Sequence, residues 1–165
     1  MNLGAMVLDW PNWKLIELIG YFLNKATEAQ VAEHLLGCDA DFVTPLTDRV
    51  DIGAYAKKIV NKATRFEAWS NDRLIGLIAA YCNDQEAHIA YITSVSVLNG
   101  WTGQGIATTL MKQCITTMES LKMGQIKLEV FKHNASAHRL YEKSGFIANE
   151  MSQSFVSMTL NLKLK

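Results

Sequence analysis

The stretch Val95-Ser96-Val97-Leu98-Asn99-Gly100-Trp101-Thr102-Gly103-Gln104-Gly105-Ile106-Ala107 constrains this chain more than any other. An apolar, β-branched run ends at Val97. A short turn follows, and a helical pattern starts at the glycines. Gly103 and Gly105 remove Cβ atoms where a ligand's phosphates could approach main-chain N–H groups. The first N–H groups of a helix have no intrahelical partner, and the helix dipole adds partial positive charge there. Strand, glycine turn and helix start together form an anion cradle. A Gly-x-Gly pair alone also fits a tight packing turn.

The elements around this stretch follow from periodicity. Downstream, a helix over about 103–122 carries the apolar stripe Ile106, Leu110, Cys114, Met118 and Leu121, with Gly124 as its stop. Ile126 to Phe131 reads as a buried strand, parallel to the one before the helix because a strand–helix–strand unit needs a crossover. Asn134 to Ser144 reads as a short helix ended by Gly145, and Phe146 to Leu164 holds two last strands. Upstream, Arg65–Trp69, Leu74–Cys82 and His88–Val97 read as strands joined by short turns, hence antiparallel hairpins. The first third reads as helical. One helix is expected over Asn12–Lys25, with Trp13, Ile16, Ile19, Phe22 and Leu23 at helical spacing. A second starts at the capping box Thr27-Glu28-Ala29-Gln30 and stops at Gly37. A third contains Val50, Ala54, Ile59 and Val60 and is capped by Asp48 or Asp51. No strand is expected before Arg65, and residues 38–48 read as loop.

The order predicts an α+β fold: a mixed, mostly antiparallel central sheet flanked by helices, with a helical N-terminal extension. The 165 residues fit one domain, of which 1–63 would be a mostly helical substrate-side segment and 64–165 the core. At 49% hydrophobic the chain can bury a core, and its zero net charge argues against a nucleic-acid or anionic-membrane surface. The stretch Leu15–Leu23 is too short and too amphipathic to span a bilayer. The three cysteines Cys38, Cys82 and Cys114 are odd in number and form no CxxC pair, which suits reduced thiols in a cytoplasmic protein and no metal site.

A second block stands one strand beyond the glycines: Asn134-x2-Ala137-x2-Leu140-Tyr141-Glu142-x2-Gly145-Phe146. In this order and on these elements, the pair resembles the GNAT superfamily of N-acetyltransferases, over about residues 65–160. The resemblance implies that fold and acetyl-CoA as co-substrate. The diphosphate would rest on the N–H groups of Thr102, Gly103, Gln104, Gly105, Ile106 and Ala107. The pantetheine arm would lie against Val95, Ser96 and Val97, with a β-bulge near Val95 aiming an N–H at the thioester carbonyl. Asn134 would touch the cofactor, and Tyr141 would protonate the departing thiolate. Gly100 stands where many relatives carry Gln or Arg, and Thr102 where many carry Arg, so a basic contact to the phosphates is missing unless Lys112 or Lys132 supplies it.

Each role has a structural rival. Tyr141 could serve only by packing its ring, Asn134 only as a helix cap, and Trp101 either as an adenine stack or as a loop anchor. The reaction needs a neutral amine, and an alkylammonium has a pKa of about 10, so a base or water chain must take a proton. His88 and Glu86, at the start of the strand leading to the glycines, are the candidate bases. Glu129 is a strand residue of open orientation, and Tyr81 and Ser94 could hold a water. Asp39, Asp41, Phe42 and Arg49 could bind the acceptor's amine or an anionic handle. The run from Asp41 to Asp51 faintly resembles acetyltransferases encoded with surface-polysaccharide enzymes, which would suggest an amino sugar or its nucleotide as the small-molecule acceptor. The alternatives are a protein amine as acceptor, a non-catalytic acyl-CoA-binding module, and a nucleotide-binding protein. The last lacks the third glycine of a dinucleotide fingerprint. Edge strands near the C-terminus invite pairing into a homodimer.

Overall fold

A computed structural model describes residues 18–42 and 44–163. Seven strands form one sheet: β1 (Ile19–Leu23), β2 (Thr64–Ser70), β3 (Arg73–Asp84), β4 (Ile89–Val97), β5 (Gln125–Phe131), β6 (Ile147–Met151) and β7 (Phe155–Asn161). Their order is β1-β2-β3-β4-β5-β7-β6, and only β4 and β5 run parallel. The helices are α1 (Glu28–Cys38), α2 (Ile52–Lys62), α3 (Ile106–Ser120) and α4 (Ala135–Lys143). Thr27 and Gln30 form the expected capping box on α1, Asp51 caps α2 through the Ala54 N–H, and Asn134 caps α4 through the Ala137 N–H. Between α1 and α2, where a loop was expected, the chain makes two short 3-10 turns, Asp39–Asp41 and Leu46–Asp48.

The sheet has a core on each face. Ile106, Leu110, Met111, Cys114 and Met118 of α3 pack on Ile75, Ile78, Ala90, Ile92, Ile126 and Leu128. Val31 and Leu35 of α1 and Ala56 and Ile59 of α2 pack on Trp69, Leu74, Leu77 and Ala79. Burial on both sides explains why Leu74–Ala80 is an unbroken apolar run rather than an alternating one. Gly76 lets α3 close on β3, since a Cβ there would sit 2.8 Å from Ile106 Cγ2.

The structure corrects four expectations. Ile19–Leu23 is a strand, not part of a helix, and residues 12–17 of the expected helix lie outside the described residues. Its five residues pair along β2. The buried Glu67 carboxylate then fixes the exit by accepting the N–H groups of Lys25 and Ala26. A sheet strand therefore precedes Arg65. Helix α1 runs through Gly37 to Cys38, and Gly37 instead admits Leu98, whose Cδ2 would be 2.9 Å from a Cβ. The stop of α3 is Lys122, in the left-handed region at φ 59°, not Gly124. Lys122 N–H donates to Glu119 O and Met123 N–H to Met118 O, the paired bonds of a Schellman turn. Gly124 begins the next link, donating to His88 O at 2.7 Å.

Candidate active site

The site begins where β4 and β5 part. They pair only at Ile89↔Gln125, Ala90↔Ile126 and Tyr91↔Lys127, and beyond Tyr91 they have no ladder between them. A cleft of about 670 Å³ occupies the gap. The Leu98 N–H donates to Ile75 O. Antiparallel alternation then turns the main chains of Ser94 and Ser96 toward β3, and those of Val95 and Val97 toward the opening. The bulge lies at Thr93, two residues earlier than expected: Ala79 pairs with Ser94 and Ala80 with Ile92, leaving Thr93 as the extra residue. Tyr55 of α2 holds it, its hydroxyl 2.8 Å from both Thr93 O and Thr93 Oγ1.

The bulge sorts side chains between the two faces of the sheet. Val95 and Val97 fall on the α3 side, packed against that core. Thr93, Ser94 and Ser96 fall on the α1 and α2 side, where Ser96 Oγ lies 2.8 Å from His34 Nε2. On β5, Ile126, Leu128 and Val130 face α3, so strand alternation puts Glu129 and Phe131 on the other face. The cleft thus runs through the sheet.

Its α3 end carries the glycine turn. Gly103 and Gly105 have φ 76° and 79°, and a Cβ on either would project into open space. Gly105 is the N-cap of α3, with no side chain capping the helix. Among the described residues, the N–H groups of Gly103, Gln104, Gly105, Ile106 and Ala107 take no acceptor, whereas Thr102 N–H is already bonded to Asn99 O. That removes Thr102's amide from the expected cradle and leaves five. Thr102, Gly103, Gly105, Ile106 and Ala107 line the cleft, while the exposed Gln104 side chain does not. Neither Lys112 nor Lys132 lines it, so the cradle offers amides and a helix end without a cationic side chain.

Asn134 and Tyr141 also line the cleft. Asn134 Oδ1 caps α4, so its cap role is real. Tyr141 is 7% exposed, its ring tilts on Phe146 at 5.9 Å, and its hydroxyl has no hydrogen-bond partner among the described residues. Burial pushes its pKa up, so the phenol keeps its proton. Cys38 lines the cleft as well, but burial, with Asp41 nearby, pushes its thiol up to about 11. Cys114 is buried in the core under α3, with its thiol pushed up to about 12 by that burial. Neither is a ready thiolate.

The two expected bases are elsewhere. Glu86 and His88 are exposed in the turn before β4, and neither lines the cleft. At the rise of a strand, His88 stands roughly 20 Å from Val95. Its φ of 53° and its carbonyl, which accepts from Gly124 and Gln125, make it a turn residue. Of the residues the sequence left open, Glu129 and Ser94 line the cleft and Tyr81 does not; Asp41, Phe42 and Arg49 line it from the loop, and Tyr55, Tyr91 and Thr93, which the sequence did not single out, line it too. Asp39 is occupied, accepting from Thr47 N–H and Thr47 Oγ1.

The sequence profile described as the acetyltransferase (GNAT) family matches residues 29–146. The chain belongs to this family. Members of this family are described as acetyltransferases. The chain is 35% identical over 86 residues to N-alpha-acetyltransferase 30 of Schizosaccharomyces pombe, a match spanning 49% of this chain and 55% of that relative. The chain therefore spans about half the length of this curated relative. Among solved structures, the ribosomal-protein-S18-alanine N-acetyltransferase of Escherichia coli shares the fold with a TM-score of 0.72 at 17% identity, covering 90% of this chain and 96% of that one. The PaiA N-acetyltransferase of Thermoplasma acidophilum in complex with coenzyme A superposes with a TM-score of 0.67 at 16% identity, over 86% and 99% of the two chains. No helix among the described residues is long and apolar enough to cross a membrane.

Proposed function

We propose that this GNAT domain transfers acetyl from acetyl-CoA to a primary amine by direct attack on the thioester, across the opening between β4 and β5. The observation that carries the reading is the conjunction of five unpaired amides at Gly103–Ala107 with a protonated, unpartnered phenol at Tyr141 on the same cleft. The amides take the diphosphate, aided by the dipole of α3. The main chains of Val95 and Val97 bond the pantetheine arm as a strand would. The Val95 N–H is the donor for the oxyanion that forms when the amine adds to the carbonyl. Asn134 touches the cofactor from the start of α4.

Tyr141 serves the leaving group. A thiolate near an ordinary thiol pKa of about 8.5 is a weaker base than a buried phenolate. The phenol therefore stabilises the departing sulfur by hydrogen bonding and ends the cycle protonated. The amine enters from the opposite face. Glu129 and the hydroxyls of Tyr55, Thr93 and Ser94 are the groups there that can pass its proton to water. This water chain replaces the dedicated base expected at His88 or Glu86.

The acceptor is a small-molecule amine, such as an amino sugar, or a protein α-amine; two of the relatives above are named for protein or Nα acetylation. The test is release of coenzyme A thiol with a panel of amines, amino sugars and peptides. Turnover on one class assigns it. Tight acetyl-CoA binding with no release on any acceptor would instead favour a non-catalytic acyl-CoA module.

A further inference from the structure

The acceptor half of the cleft has a charge pattern of its own. Arg49 precedes α2 and is the only cationic side chain lining the cleft among the described residues, against two carboxylates, Asp41 and Glu129. Its guanidinium lies over the Phe131 ring, 5.1 Å from the centroid, and Phe131 in turn stacks on its cross-strand partner Phe155 at 4.4 Å. Arg49 thereby reaches from the α2 side of the gap to the β5–β7 side. The guanidinium carries five N–H donors in a fixed fork, the group with which arginine binds carboxylate or phosphate. Among the described residues nothing takes those donors: the one ion pair is Arg65–Glu67, and the guanidinium of Arg49 makes no hydrogen bond. The diphosphate cradle opens at the start of α3, on the other face of the sheet, so a bound cofactor's diphosphate is not the natural partner of Arg49.

We infer that Arg49 recognises an oxyanion on the acceptor, so that the preferred acceptor is an amine that also bears a carboxylate or phosphate; this rests on the acetyl-transfer reading of the same cleft. Asp41 and Glu129 then attract the ammonium end, and Arg49 with the Phe131–Phe155 floor fixes the other end. No bond is made or broken at Arg49; it selects and orients.

The test uses matched acceptors that differ only in the anion: glucosamine against glucosamine 6-phosphate, and peptides opening Ala-Gln against Ala-Glu. Thiol release gives kcat/KM, and calorimetry in the presence of coenzyme A gives acceptor affinity. A charge-assisted contact predicts a preference for the anionic member of one pair on the order of tenfold to a hundredfold, and the pair that shows it identifies the source of the anion. Arg49→Gln should bring that ratio close to one, and Arg49→Lys should keep part of it. Ratios near one in both pairs, or a preference that survives in Arg49→Gln, would overturn the inference. An equal loss of coenzyme A affinity in Arg49→Gln would also overturn it, by assigning Arg49 to the cofactor. If no acceptor releases thiol while anionic members still bind in an Arg49-dependent way, the anion site stands and the transfer reading falls.

Discussion

At the scale of single residues, two buried polar side chains give separable predictions. Tyr141 is held by its ring, and its hydroxyl makes no bond within the described residues, so Tyr141→Phe should fold and bind acetyl-CoA nearly as the parent does. Loss of the donor to the departing sulfur should lower kcat by about a hundredfold; unchanged turnover would remove Tyr141 from the mechanism. His34 concerns stability. Its Nδ1 lies 3.0 Å from Leu74 O, which can only accept, so Nδ1 carries the proton and Nε2 accepts from Ser96 Oγ. Burial depresses its pKa from 6.5 to about 4. The unfolded chain therefore binds more protons between those values. The stabilisation is complete above pH 6.5 and is lost as pH falls toward 4, at most about 3 kcal/mol in all. Urea unfolding at pH 7, 6 and 5 should show this fall in the parent, and His34→Gln should flatten it; parallel slopes would contradict the assignment. That Asn134 and Tyr141 share one cleft was legible because they sit in one short segment. Which titratable side chains meet the cleft was not, because that depends on where β4 and β5 part, which single residues do not reveal.

At the scale of elements, the glycine turn and α3 form the unit on which cofactor binding rests. Gly105 is left-handed and caps α3 without a side chain, and a Cβ there would project into the open space above the free amides. Gly105→Ala should cost about 1–2 kcal/mol of backbone strain and crowd the diphosphate. Acetyl-CoA affinity should fall by about tenfold or more while the protein remains folded, as calorimetry with a parallel melting curve would show. An unchanged affinity would move the diphosphate off this turn. The strand–turn–helix was readable because local patterns specify it: β-branched residues, then glycines, then a stripe at 3.6 spacing. β1 was not, because Ile19–Leu23 is a short apolar run with helical coincidences, and its strand state comes from pairing with β2 and from the Glu67 anchor. The stop at Lys122 was missed for a similar reason: glycine two positions on looked the better left-handed residue, but the Schellman bonds form at Lys122 and Met123.

At the scale of the whole molecule, one feature of the sheet organises the rest. β4 and β5 pair for three residues and then separate, which opens a passage from the face built by α3 and α4 to the face roofed by the α1–α2 loop. The order of elements made the mixed sheet predictable. The separation itself was not legible in the residues, since nothing in either strand forbids a longer ladder. The central claim is that acetyl-CoA fills this passage with its diphosphate on α3. The most direct measurement is backbone amide NMR during a coenzyme A titration. The largest shifts are predicted at Gly103–Ala107, with Val95 and Val97 following and the turn holding Glu86 and His88 unmoved. Shifts centred elsewhere, with the Gly103–Ala107 amides unchanged at saturation, would contradict it.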